Sequence, residues 1–120
     1  MVPDTTVRFV LDVVVHDITR FRELVASCVA VSNDEPGTLL YNWHLNEAEG
    51  TARLVEAYDS VESVIIHIKG PVFTEFGPDL LTACTITTMD AYGDLGRLAD
   101  GPEFWPTVQW GAPFAAIDPR

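Results

Sequence analysis

Of the three histidines in the chain, His67 has the setting of a general base. It lies roughly 60° round a helix from Val64, at the border of an apolar stripe of Val61, Val64, Ile65 and Ile68. Imidazole has an unperturbed pKa close to working pH, so a histidine that looks into a pocket can take a proton from a substrate. The competing reading is a hydrogen-bonded boundary residue. Upstream, Leu39, Tyr41, Trp43 and Leu45 alternate with Leu40, Asn42 and His44. Asn42 can donate to a developing oxyanion, and His44 shares its side of the strand. Tyr41, Trp43, Phe73 and Trp105 offer flat walls for a ring system. For Tyr41 and Trp43, on a clean apolar face, packing in a dimer core is the rival role. Parity keeps Asn42 and Trp43 from lining one pocket unless the strand bulges. Glu56 is a strand carboxylate with Arg8 and Arg53 as available partners, and Tyr58 reads as a surface edge residue.

Other site chemistries lack their signatures. The histidines have no metal-ligand spacing, and no HxH, CxxC or HExxH occurs. No GxGxxG follows a strand, and there is no GxSxG or Cys–His pairing. The expectation is therefore no cofactor and no metal. Cys28 and Cys84 sit in apolar surroundings and read as reduced packing residues.

The elements that position these residues follow from periodicity. Residues 7–15 alternate, with Val7, Phe9, Leu11, Val13 and Val15 as an apolar face and Arg8, Val10, Asp12, Val14 and His16 as a mixed one. Asp17 is suited to cap a helix over 18–32, in which Phe21, Leu24, Val25 and Cys28 recur at helical spacing. A Pro36-Gly37 turn, with Gly37 supplying a positive φ, leads into a strand over 38–45. Residues 46–50 form a hairpin loop, and 52–58 a second strand. Asp59 and Glu62 have the spacing of a capping box for the next helix, which Gly70-Pro71 ends. Residues 72–79 read as irregular or helical, with Phe73 and Phe76 over the core. Residues 80–92 (LLTACTITTMDAY) read as one long strand. A tail over 94–120 packs on this single domain of residues 1–120. It has a helical turn over 95–99 and an irregular run over 101–113 with Trp105 and Trp110.

The order β-α-β-β-α-β predicts an α+β, ferredoxin-like domain with an antiparallel sheet and both helices on one face. Residues on the second face include Val10, Val14, Leu40, Val55 and Ile86. Two faces to bury and one layer of helices, which leaves one wholly apolar sheet face uncovered, predict a homodimer packed sheet against sheet. The chain has 120 residues, 48% of them hydrophobic, which suits one folded domain. A net charge of −11 disfavours nucleic acid and anionic membrane surfaces as partners. With no secretory pattern at the N-terminus and no apolar run near the ~20 residues of a membrane span, the expected location is cytoplasmic.

PGTLLYNWHL, LVEAYDS, a helix ending IIHI, and AYGD follow one another in an order and spacing that resemble the antibiotic biosynthesis monooxygenase family of dimeric α/β barrels. WPTVQWGAPFAAI resembles the closing segment of many members, so the likeness runs over residues 7–117. It implies cofactor-independent oxidation by O₂ of an electron-rich aromatic to a quinone. The substrate would be an anthrone or hydroquinone of polyketide type, in secondary metabolism. It also implies a pocket in each subunit between sheet and helices. His67 is the position carried over best, and Asn42, Trp43 and Glu56 fall in matching strands. Asn42 stands where other members often have a different residue. Two further functions stay open. One is a non-oxidative cyclase, dehydratase or isomerase working on a polyketide-like intermediate. The other is a small-molecule-binding dimer without catalysis.

Overall fold

The computed structural model describes residues 4–98 and 107–118. Trp105 and Ala99 fall outside them. The elements run β1 (Val7–Val15), α1 (Ile18–Ser32), β2 (Thr38–Asn46), β3 (Thr51–Tyr58) and α2 (Val61–Lys69). A π-helical turn (Val72–Phe76), α3 (Gly77–Ala83), β4 (Cys84–Tyr92), a 3₁₀ turn (Gly96–Leu98) and β5 (Val108–Gln109) follow. The strand order is β2-β3-β1-β4-β5. The first four strands are antiparallel, and β5 adds a short parallel edge to β4. This is the ferredoxin-like α+β arrangement with one extra edge strand.

Register decides which side chains meet. Residues directly opposite one another in a sheet share a face. Tyr41, Glu56, Phe9 and Ala91 form one row, and Trp43, Leu54, Leu11 and Met89 the next. Leu45, Ala52, Val13 and Ile86 form a third. These rows lie under the helices, where Phe9, Leu11, Tyr41, Leu54 and Met89 join Cys28 of α1 and Val64 of α2 in one apolar cluster. A second cluster joins Val13 and Ala52 to Phe21 and Leu24 of α1. The other face carries Asn42 beside Val55 and Val10, and His44 beside Arg53 and Asp12. There Arg53 grips Asp12 with two hydrogen bonds of 2.6 and 3.1 Å. The apolar faces of β1 and β2, expected to be left open to a partner sheet, are instead the ones the helices cover, apart from Leu39, which is exposed where the β2–β3 register shifts between Thr38 and Leu40. The face without helices is the mixed one, with Val14 and Leu40 among its exposed apolar residues.

Several expectations are corrected. Residues 80–83 are helical, and β4 begins only at Cys84. Leu80, Ala83 and Cys84 have i, i+3, i+4 spacing and all turn inward. Pro78 in the first turn and Asp79 at the positive end of α3 favour that start, and Asp79 is tied to Arg20 of α1 at 3.0 Å. A bulge between Asp12 and Val13 in the β1–β4 register leaves Thr87 without a counterpart. It brings Ile86 and Met89, three residues apart, onto the same covered face, so Ile86 does not belong to the open one. The cap of α2 is Ser60, whose Oγ accepts from the Ser63 N–H at 3.3 Å. Asp59 instead accepts from the hydroxyls of Ser60 and Ser63. In the tail, the irregular run expected around residue 108 contains β5.

Gly37 does not have a positive φ. Its role is close approach: a Cβ there would lie 2.6 Å from Ser63 Cβ and 2.9 Å from Asp59 Oδ1. Gly37→Ala is therefore expected to destabilise the fold by about 1–3 kcal/mol. The readout is a lower urea midpoint at unchanged m-value; an unchanged midpoint would show that the start of α2 yields freely.

Candidate functional site: an apolar cavity with a Glu35–His67 pair

A cavity of about 270 Å³ lies between the covered sheet face and α2, the π-helical turn and α3. The sheet supplies Phe9, Leu11, Leu54 and Met89, and the helical side supplies Val64, Val72, Phe73 and Leu80. Gly77, Pro78, Leu80 and Leu81 also line it, the last two from the stretch expected as strand. The walls are mostly apolar, with Tyr41, Glu56, Tyr58 and His67 among the lining side chains.

His67 is placed by α2. The helix buries Val64 and His67 three residues apart while Ile66 points outward. His67 therefore stands on the buried side of the helix, with 3% exposure, not merely at its border. Tyr41, Tyr58 and Phe73 surround the imidazole, with ring centroids 5.4, 5.3 and 5.7 Å away. Its Nδ1 lies 2.8 Å from Glu35 Oε1. With an ionised Glu35 as acceptor, Nδ1 is the donor of this bond, and a neutral imidazole then presents its lone pair at Nε2. Glu35 sits in the turn after α1 and is itself held by the Thr38 hydroxyl at 2.8 Å. Gly70 leaves room beside it, since a Cβ there would lie 3.2 Å from Glu35 Oε2.

His67 Nε2 is 4.0 Å from Glu56 Oε1. That is too long for a hydrogen bond, and a ligand oxygen can contact both groups. Burial raises the Glu56 carboxyl to about 7, against the opposing hydrogen bond from the Tyr58 hydroxyl and with help from the Glu35 charge. Glu56 is thus a carboxyl able to hold a proton near neutrality. Tyr41 and Tyr58 are pushed far upward by burial first and remain neutral phenols. The Trp43 indole N–H is buried near the Tyr41 hydroxyl but makes no hydrogen bond of normal geometry. Phe21 braces the same indole edge-on, with centroids 5.3 Å apart. Cys28 and Cys84 are both buried and free, and burial pushes the Cys28 thiol up to about 11.

The structure brings His67, Glu56, Tyr41, Trp43 and Phe73 together at this cavity. It does not bring Asn42 and His44 there. Both are exposed on the opposite face of β2, as strand parity demands once Trp43 points inward. Arg8 and Arg53 are not partners of Glu56; they pair with Asp4 and Asp12. Two site residues escaped the sequence reading. Tyr58 is fully buried, and its spacing from Leu54 and Glu56 on one strand was the available signal. Glu35 lies 32 positions before His67, and no local pattern marks it. Among the described residues, no group of three or more His, Cys, Asp or Glu side chains is arranged to hold a metal ion.

Comparison with known proteins bears on this arrangement. A search of curated proteins found no match. Among solved structures, MupZ from Pseudomonas fluorescens superposes with a TM-score of 0.68 at 16% identity, over 78% of this chain and 72% of that one. A conserved protein from Methanosarcina mazei Go1 gives 0.67 at 19% identity, over 74% of this chain and 92% of that one. SnoaB, a cofactor-independent oxygenase from Streptomyces nogalater, gives 0.64 at 16% identity, over 72% and 90%. At such identities the likeness speaks for the fold. The model of the antibiotic biosynthesis monooxygenase family matches residues 7–78, which include Glu35, Tyr41, Trp43, Glu56 and His67. Because that match spans more than half of the chain, the protein belongs to the antibiotic biosynthesis monooxygenase family.

Proposed function

We propose that the protein is a cofactor-independent monooxygenase that oxidises an electron-rich aromatic, of anthrone or hydroquinone type, to a quinone with O₂. The observation that carries this reading is the Glu35-oriented imidazole at an apolar, aromatic-lined cavity, 4.0 Å from a carboxyl that holds a proton near neutrality. Triplet O₂ reacts slowly with closed-shell organics, but a phenolate or anthrone anion can pass it one electron. His67 Nε2 takes the substrate proton, and Glu35 stabilises the imidazolium that forms. The radical pair then joins to form a carbon–oxygen bond. Glu56 gives its proton to the peroxide anion and regains one from the His67 imidazolium, which restores both groups. Loss of water, with the remaining hydrogen from the oxygenated carbon, leaves the carbonyl. One phenol with a free para position plus one O₂ gives one quinone plus one water.

The test is oxygen uptake with 1-naphthol or an anthrone in the presence of chelator. Enzyme-dependent consumption of one O₂ per quinone, with ¹⁸O from labelled O₂ retained in the product, is the expected result. Label from water, or no uptake above autoxidation, would sink the oxygenase. A second reading rests on the same acid–base pair. His67 and Glu56 could drive a cyclisation, dehydration or isomerisation of a polyketide-like intermediate without O₂. Turnover that persists anaerobically would favour it. A binding dimer without catalysis is the remaining outcome.

The reading includes a homodimer. The open sheet face carries Val14 and Leu40 among its exposed side chains, and a second sheet would cover it. Sedimentation at micromolar concentration is expected to give twice the chain mass, and a monomer would overturn this. No helix among the described residues is long and apolar enough to cross a membrane.

A further inference from the structure

We infer that the cavity selects uncharged hydroxyarenes of about two fused rings and rejects anionic ligands of the same frame, with Glu35 and Glu56 as the residues that set this charge selection. The inference narrows the proposed function, favouring two-ring hydroxyarenes over the three fused rings of an anthrone. It rests on the cavity being the substrate site, but not on the oxygen chemistry.

Charge is the first ground. Among the described residues no Lys or Arg lines the cavity, while Glu56 lines its polar end and Glu35 stands behind His67, 2.8 Å from Nδ1. The groups around Glu56 are Tyr41 from β2, His67 from α2, Glu35 from the turn before β2 and Tyr58 from its own strand. Neither tyrosine supplies positive charge. With Glu35 ionised, one proton shared between His67 Nε2 and Glu56 leaves the trio at net −1, whichever of the two holds it. A second proton brings it only to zero. A carboxylate, sulfonate or phosphate entering this end would lose its water and meet a trio that is net negative with one proton and at most neutral with two, with no Lys or Arg among the described lining residues to offset it. A neutral hydroxyl fits instead. It can donate to the imidazole nitrogen and accept from a protonated Glu56, across the 4.0 Å that separates them.

Size is the second ground. An engineered cavity of about 150 Å³ takes benzene. The 270 Å³ here is less than twice that, enough for two fused rings. The flat side chains of Tyr41, Trp43 and Phe73 at its walls suit such a body.

The test is calorimetric titration of the full chain under anaerobic conditions, where the ligand cannot be oxidised. The probes are 1-naphthol, 1-naphthoate, phenol and 9-phenanthrol, at pH 8 and pH 6. The expected result is that 1-naphthol binds tightest and that 1-naphthoate is at least about tenfold weaker at pH 8. The gap should narrow at pH 6 and in Glu56→Gln at pH 8. If that variant fails to fold, the pH comparison on the unaltered protein reads the same gap. Binding of 1-naphthoate as tight as 1-naphthol would overturn the inference. So would tighter binding of 9-phenanthrol, or no binding of any probe. Selection intact with no oxygen uptake removes the oxygenase alone; uptake without selection removes this inference alone.

Discussion

His67→Ala is expected to lower the rate constant for substrate consumption by about 10²–10⁴-fold, the usual cost of losing a general base. The side chain is 3% exposed and packed among three aromatic rings, so the variant will also lose stability. The rate must therefore be taken per folded molecule, with folding followed by circular dichroism. Truncation leaves a hole at the polar end of the cavity, and added imidazole should restore part of the rate. Glu35→Gln should fall between wild type and His67→Ala. It keeps a hydrogen-bonding side chain beside Nδ1 but removes the charge that stabilises an imidazolium 2.8 Å away. A full rate per folded molecule in His67→Ala, with no response to imidazole, would take the base out of the mechanism.

The second large effect concerns Glu56 and the dependence of stability on pH. Its carboxyl is raised by burial from 4.5 to about 7 in the folded protein. Below about pH 4.5 both folded and unfolded chains hold this proton, and the group adds no slope. Between about 4.5 and about 7 the unfolded chain releases it while the folded chain keeps it, so stability falls as pH rises. Above the folded value the loss is complete, on the order of 3 kcal/mol. Asp4 and Asp12 are lowered from 3.8, by a backbone hydrogen bond from Thr6 and a side-chain hydrogen bond from Arg53 respectively, so their contribution is lost only at more acid pH. Urea unfolding at pH 5 and pH 8 should show this decline, and Glu56→Gln should flatten it. The same proton predicts that the proposed oxygenation slows above about pH 7, where Glu56 no longer has it to give. A wild-type stability that holds level or rises from pH 5 to pH 8 would contradict the assignment.

Much of the architecture was legible because local periodicity carries it. The alternation of Val7 through Val15 marks β1, and helical spacing with Asp17 as cap marks α1. The hairpin and the Gly70 stop of α2 were equally local. So was His67 as the histidine with pocket access, because a helix stripe can be counted along the chain. The sequence alone also separated Asn42 and His44 from Tyr41 and Trp43, since strand parity is a local property. It did not say which of these two sides meets the helices. That choice depends on packing between distant elements, and packing put Tyr41 and Trp43 inside. The same holds for residues 80–83, whose alternation and helical spacing coexist. Docking of Asp79 on Arg20, and of Leu80 and Ala83 into the core, decided for helix. The β1–β4 bulge that turns Ile86 and Met89 to one face arises only in the pairing of two strands. The site shows the division most sharply. One chain position names a histidine, but its orienting carboxylate, Glu35, comes from a turn 32 residues away. Periodicity cannot report such a meeting, because hydrogen bonds between remote segments exist only after the chain has closed on itself.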